Sequence, residues 1–118
     1  MNRAIALLAG LARGVRRRGP RLFMIMLVVN LPWLNRVDAE WIAGLAEGKR
    51  LLVTLDDHYV DGGQGEKVLA ALARAGVAIP TLTLGVNGVP PSGQPGEVLE
   101  RLGLDAAGIA AMVGGALE

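Results

Sequence analysis

Cysteine is absent from this 118-residue sequence, which excludes disulfide bonds and thiolate metal sites and suits a reducing compartment. Aromatic residues make up only 3% of the chain, so a hydrophobic core has to be built from aliphatic side chains. The apolar run over residues 22–31 is too short to cross a bilayer, which takes about 20 residues. Together these absences indicate a single cytoplasmic domain with one modest core.

Acidic side chains are missing before Asp38, although seven arginines precede it and the whole chain carries a net charge of only +1. Apolar residues recur at helical spacing between positions 3 and 18, which predicts a basic amphipathic helix within residues 1–21, ahead of a core over residues 22–118. This helix fits the surface of the domain, a targeting peptide or a membrane-surface helix. Because no aromatic residues are interleaved with these arginines, nucleic-acid binding is not expected.

Apolar stretches with the length of strands alternate with helical patterns along the rest of the chain. Strands are expected over residues 22–31, 50–56 and 81–86, and helices between Asp38 and Gly48, over 65–75, over 95–102 and from Asp105 onward. This alternation predicts one α/β domain with three layers, α/β/α, around a mostly parallel sheet. The first of these strands is rich in β-branched residues and is expected to be buried on both faces.

The residues that could carry chemistry follow the second of these strands, in an acidic turn and a glycine-rich entry into a helix. They are Asp57, His58, Gly62, Gly63, Gln64 and Gly65. His58 is the only histidine and the one candidate for general acid–base chemistry near neutral pH. The alternative is that it forms local hydrogen bonds that order the loop. One histidine with nearby aspartates is a poor ligand set for zinc, so no metal site is expected.

The glycine-rich turn has two interpretations. Its backbone N–H groups, at the start of a helix, could hold a phosphate, whereas the glycines could instead allow a strand and a helix to pack closely. The turn does not match a dinucleotide or P-loop motif, and the neighbouring aspartates would repel an anion. Elsewhere, Arg36 lies in a loop where it faces either a partner, an acidic substrate or solvent. Trp33 and Trp41 fit packing in the core or at an interface.

Three stretches resemble the C-terminal domain of transketolases. Residues 29–38, Val-Asn-Leu-Pro-Trp-Leu-Asn-Arg-Val-Asp, are similar to a strand-to-helix loop of that family. Residues 53–65 are similar to its pattern of threonine, acidic residues, histidine and Gly-Gly-x-Gly. Ser92-Gly93 and residues 97–109 resemble its closing helices. The resemblance covers about residues 25–117 and implies the fold of that domain.

In function, the resemblance implies a part of a larger enzyme. Transketolase-like enzymes use thiamine diphosphate and Mg²⁺ to transfer ketol groups between sugar phosphates, and two other domains hold the cofactor. The metal-binding motif and the activating glutamate of those domains are absent from this sequence. The chain is therefore expected to be an accessory, non-catalytic domain or subunit that binds no cofactor by itself. Its expected partners are the catalytic domains and, in a homodimer, a second copy.

The resemblance also implies a gap, because the family's sheet has an inner strand between two strands that this chain keeps. Without it, rows of backbone hydrogen bonds would be lost, which is costly in a buried sheet. The sheet could close by direct pairing of the two strands, or a partner could supply a strand. Two other functions stay open: an inactive truncated transketolase fragment, and an independent module that binds a small molecule or an anion at the glycine turn.

Overall fold

The computed structural model describes residues 4–14, 21–31, 33 and 35–118, and these form an α/β fold with helices on both faces of one sheet. The α/β class and the three layers expected from the sequence are confirmed. The elements in chain order are β1 (Ala4–Gly14), β2 (Arg21–Leu31), α1 (Ala39–Ala46), β3 (Leu51–Tyr59), α2 (Gln64–Arg74), β4 (Thr81–Val86), α3 (Pro95–Leu102) and α4 (Ala106–Leu117).

The four strands lie in the order β2-β1-β3-β4. Strand β3 runs parallel to β4, whereas β1 runs antiparallel to both of its neighbours. It follows that β2, β3 and β4 point in one direction and β1 alone is reversed. The sheet is therefore mixed: three of its four strands share one direction, but two of its three pairings are antiparallel because β1 lies between β2 and β3. The expected parallel pairing is present between β3 and β4.

The prediction of an N-terminal amphipathic helix is wrong where the structure describes the segment, because residues 4–14 form strand β1. The rest of that predicted helix, at residues 1–3 and 15–20, lies outside the described residues. Residues 4–12 read Ala-Ile-Ala-Leu-Leu-Ala-Gly-Leu-Ala, a nearly continuous apolar run that fits a buried strand as well as a helix. Gly10 weakens a helix, and pairing along both edges of β1 supplies hydrogen bonds from β2 and β3 that no sequence window reveals.

Strand β1 fills the gap that the resemblance implied. It pairs with β2 from Ala4 to Gly14 and with β3 from Ile5 to Ala9, so the two strands that flank the gap are joined through it. As a consequence β2 lies at the edge of the sheet. The expectation that β2 is buried on both faces is wrong, since Val28 at its centre is 58% exposed.

Among the side chains that the structure describes, the core consists of two apolar clusters, one on each face of the sheet. On one face, helices α1 and α2 cover Leu52 of β3, and the buried members are Leu31, Ile42, Ala46, Leu52, Val68, Ala71 and Leu72. On the other face, α4 covers β3 and β4, and the buried members are Leu51, Val53, Leu84, Leu104 and Val113. Leu69 of α2 is 41% exposed, whereas Ala71 is fully buried on the inward face of that helix.

Local signals set the helix boundaries. Asp38 and Asp105 cap α1 and α4 by accepting hydrogen bonds from the backbone N–H groups of Trp41 and Gly108, as expected. Helix α3 begins with Pro95 and is followed by Gly103 in the left-handed conformation, at φ 68°. None of the helices in the described part of the chain has both the length and the apolar character to span a membrane.

Candidate functional site

Strand β3 extends further than the sequence suggested, and this changes the setting of the acidic residues. The prediction ended the strand at Asp56 and placed Asp57 and His58 in a turn, but both lie within β3. The cause is the parallel partner β4. After an irregularity, pairing resumes between Tyr59 and Val86, and the backbone N–H of Val60 donates to the carbonyl of Val86 at 3.1 Å. The turn proper therefore begins only after this point.

Asp56 links the end of β3 to the start of α2. Its side chain is buried, and its Oδ2 accepts a hydrogen bond from the backbone N–H of Gly65 at 3.3 Å. The partly positive N-terminus of a helix favours such a carboxylate. Sequence reasoning treated Asp56 only as a neighbour of His58. Its position at the end of a buried strand, nine residues before a helix entry, was the available signal for this role.

Three of the four backbone N–H groups over residues 62–65 already have acceptors within the chain. That of Gly62 donates to Oε2 of Glu66 at 2.9 Å, and that of Gly63 donates to the carbonyl of Val60 at 3.1 Å. That of Gly65 is used by Asp56. Two carboxylates of the chain itself thus stand where a phosphate would have to bind. This arrangement favours the packing interpretation of the turn over the anion-binding one.

Two of the glycines are required by close packing. A Cβ atom at Gly63 would lie 2.6 Å from the carbonyl oxygen of Tyr59 and 2.8 Å from Oδ2 of Asp56. A Cβ at Gly65 would lie 2.6 Å from Oγ1 of Thr54 and 2.8 Å from Cγ2 of Thr83. Both residues are buried, so the helix entry sits directly on the sheet. Any side chain here would push α2 away from β3 and β4.

His58 is exposed and makes an edge-to-face contact with the ring of Tyr59, at 5.6 Å between ring centres. Together with Asp57 and residues of the glycine turn it lines a small cavity of about 160 Å³. Within the described ranges, no group of three histidine, cysteine or acidic side chains is arranged to hold a metal ion. With three of the turn's four N–H groups also bonded within the chain, the residues present do not fit thiamine diphosphate with Mg²⁺.

Gln64, the first residue of α2, is the exception in this well-paired turn. It is 4% exposed, and neither its Oε1 nor its Nε2 has a hydrogen-bond partner among the described residues. Oγ1 of the buried Thr54 is likewise unpaired in that part of the structure. An unpaired buried polar group typically costs about 1–3 kcal/mol. Gln64 therefore weakens a turn that its neighbours stabilise.

Arg36 belongs to a different site. It lines an open cavity of about 750 Å³ together with Trp33 and Trp41, at the corner where the chain passes from β2 to α1. The side chain of Trp33 is 70% exposed and that of Trp41 is 43% exposed. We call this the tryptophan corner. The structure thus brings Asp57, His58 and the glycine turn together, but it does not bring Arg36 to them.

The fold and the turn define a class: an α/β domain whose helix α2 packs through glycines onto the ends of parallel strands. Residues 26–109 match the family model described as the C-terminal domain of transketolase, and the chain belongs to this family. The match begins at Met26, in the middle of β2, so β1 and the first half of β2 precede it.

Similar curated proteins are 1-deoxy-D-xylulose-5-phosphate synthases. That of Methylibium petroleiphilum is 42% identical over 83 residues, which are 70% of this chain and 13% of the relative. That of Thioalkalivibrio sulfidiphilus is 41% identical over 87 residues, 73% of this chain and 14% of the relative. That of Cupriavidus metallidurans is 41% identical over 83 residues, 70% of this chain and 13% of the relative. The chain thus spans about one seventh of the length of these relatives.

Proposed function

We propose that this chain acts as a non-catalytic C-terminal module of a thiamine diphosphate-dependent enzyme related to 1-deoxy-D-xylulose-5-phosphate synthase. In this role it assembles in the cytoplasm with catalytic domains carried by other polypeptides. The parent reaction is the formation of 1-deoxy-D-xylulose 5-phosphate, the product in the names of the relatives. The cofactor and its Mg²⁺ bind to the catalytic domains.

One observation carries this proposal: two carboxylates of the chain itself accept hydrogen bonds from N–H groups of the glycine turn. Asp56 is buried and Glu66 is exposed, and both are engaged in holding the start of α2 against the end of β3. His58 is exposed, and no serine or cysteine is among the described residues that line its cavity. The turn therefore stabilises the domain, and an anion-binding role is not supported.

The tryptophan corner supplies a surface for the catalytic domains. Exposed tryptophan is unusual on a lone domain and is enriched at the centres of interfaces. Arg36 beside the two rings offers charged hydrogen bonds to an acidic partner. A surface of this composition fits a protein partner better than it fits a free sugar phosphate.

The proposal is tested by complementation. The C-terminal domain is removed from the Methylibium synthase, and the remaining catalytic part is assayed for product formation with and without this chain. We expect the chain to bind the shortened synthase and to raise its activity, and to form no product on its own with thiamine diphosphate and Mg²⁺. Turnover by the chain alone would contradict a non-catalytic role. Failure to bind would instead support the inactive-fragment alternative.

The role of His58 is tested in the same complex. For His58→Ala we expect at most a modest change in activity, about threefold, because general acid–base catalysis usually contributes about 100-fold to 10,000-fold. Tyr59→Phe, which keeps the ring beside His58, is the matched control. A thousand-fold loss confined to His58→Ala would show that the histidine is catalytic.

A further inference from the structure

The outer edge of β2 is an open strand edge. Among the strands that the structure describes, β2 pairs only with β1, so one row of its backbone N–H and C=O groups is unpaired. Natural proteins usually protect such edges with lysine, proline, a bulge or inward-pointing charge. Residues 22–31 contain no charged residue and no proline, and β2 follows β1 without a register break. This edge is therefore long, regular and unprotected.

The side chains at the centre of this edge are apolar and exposed. Met26 is 42% exposed, Leu27 is 38% exposed and Val28 is 58% exposed. Because consecutive strand residues point to opposite faces, both faces of the sheet are apolar at this edge. The opposite edge differs, since no residue of β4 is exposed. Uncovered apolar surface thus accompanies one edge of the sheet and not the other.

We propose that β2 pairs with β2 of a second copy of this chain, antiparallel and about a twofold axis at Met26. The pairing joins the two four-stranded sheets into one continuous sheet and satisfies the open row of backbone groups in both copies. Such an interface is the same patch on both copies, so it closes after two chains and leaves no β2 edge free.

The distribution of charged residues near the two ends of β2 favours antiparallel pairing with a second copy of the chain. Strand β2 begins at Arg21, next to the end of β1 where Arg13 lies. It ends at Leu31, which lines the tryptophan corner together with Asp38 and Arg36. Glu40 follows in the first turn of α1, so acidic residues outnumber basic ones at this end.

Antiparallel pairing about Met26 places Arg21 of one copy opposite Leu31 of the second copy, at its acidic end. A parallel pairing would place the two basic ends side by side.

The size of the edge suits a weak dimer that forms at high protein concentration. An 11-residue strand is about 37 Å long, and its side chains fill about half of the roughly 10 Å spacing of stacked sheets on each face, so the edge covers roughly 370 Å². Two copies together therefore bury about 740 Å², which lies in the range of weak, transient interfaces, below about 1,200 Å².

The test measures the mass of the full chain by analytical ultracentrifugation. Over a concentration series up to about 1 mM, we expect the mass to rise from the 12.3 kDa of one chain toward twice that value. Met26→Lys and Met26→Glu should each raise the dissociation constant about 100-fold or more, because like charges meet at the twofold axis. Mixing these two variants should restore a dimer of one copy of each. Val89→Lys, at a loop residue that is 93% exposed, should leave the dimer intact.

Amide hydrogen exchange gives a second measurement that does not depend on a substitution. Every other N–H group of β2 points to the open edge, and in the dimer these groups should exchange slowly at high protein concentration and quickly on dilution.

A wild-type chain that stays monomeric would overturn the proposal, as would variants that do not recombine or an assembly larger than two chains. A complex with shortened synthase that protects the β2 edge in place of the dimer would assign this edge to the catalytic partner and would also overturn it. The mass of the chain alone does not depend on its proposed role in a synthase, so either idea can fail without the other.

Discussion

The turn between β3 and α2 and the tryptophan corner between β2 and α1 both follow the carboxyl ends of strands that point the same way. In the turn, Asp56 is buried and bonded to the N–H of Gly65. In the corner, Trp33 is 70% exposed beside an open cavity. In the first region hydrogen bonds and close packing join β3 to α2 within the chain, whereas the second region leaves large apolar side chains exposed. Substitutions in the turn should therefore change stability, and those in the corner should change assembly.

The largest effect is expected from Gly63→Ala, which tests how closely the turn is packed. A Cβ atom here meets the backbone oxygen of Tyr59 at 2.6 Å, and a backbone atom cannot rotate away. Overpacking of this kind typically costs about 1–3 kcal/mol, and we expect the upper end of that range in the free energy of unfolding measured with urea. Gly44→Ala, at an exposed position in α1 with no atom within 4 Å, is the control. It should gain about 0.5–1 kcal/mol from helix propensity.

The next effect compares two carboxylates that each accept a hydrogen bond at a helix start. Asp56→Ala should cost about 2 kcal/mol, because the bond to Gly65 is buried. Asp38→Ala should cost about 1 kcal/mol, because its bond to the N–H of Trp41 is exposed. Thermal and urea unfolding of both variants would check the order. Equal losses of unfolding free energy would show that burial does not strengthen the hydrogen bond of Asp56 relative to that of Asp38.

A smaller effect of opposite sign is expected at Gln64, whose buried side chain has no hydrogen-bond partner among the described residues. Gln64→Met removes two buried atoms that lack partners and keeps the length of the side chain. We expect the free energy of unfolding to rise by about 1 kcal/mol. Gln64→Glu serves as the contrasting variant and should destabilise the fold, since it buries a charge without a partner. A loss of stability in Gln64→Met would show that the amide is bonded in solution.

The smallest effect on stability is expected at the tryptophan corner. Trp33→Ala should change the free energy of unfolding by less than about 0.5 kcal/mol, because the side chain packs little within the chain. Binding to the shortened synthase should nevertheless weaken about 10-fold or more, as is usual for a central interface tryptophan. Calorimetric titration of the wild type and the variant measures this. An unchanged affinity for the shortened synthase would show that the tryptophan corner is not part of the proposed interface.

Elements defined by local chemistry could be predicted from the sequence, because a cap or a breaker acts on its own neighbours. Asp38, Pro95 and Gly103 mark helix ends that the structure confirms. Strand β1 could not be predicted in this way, since its apolar run fits two structures and the choice depends on pairing with residues up to 50 positions away. The hydrogen bond from the N–H of Gly65 to Asp56 could not be predicted for the same reason, because it forms only when β3 and α2 pack together.

The antiparallel strand β1 lies at the centre of the sheet but outside the residues that show family membership. Residues 26–109 carry the match to the family, but β1 lies before them and is what joins β2 to β3. A protein trimmed to the matched residues would keep every residue that reveals its ancestry and lose the strand that holds its sheet together. In this chain the residues that match the family are therefore fewer than the residues that form the sheet.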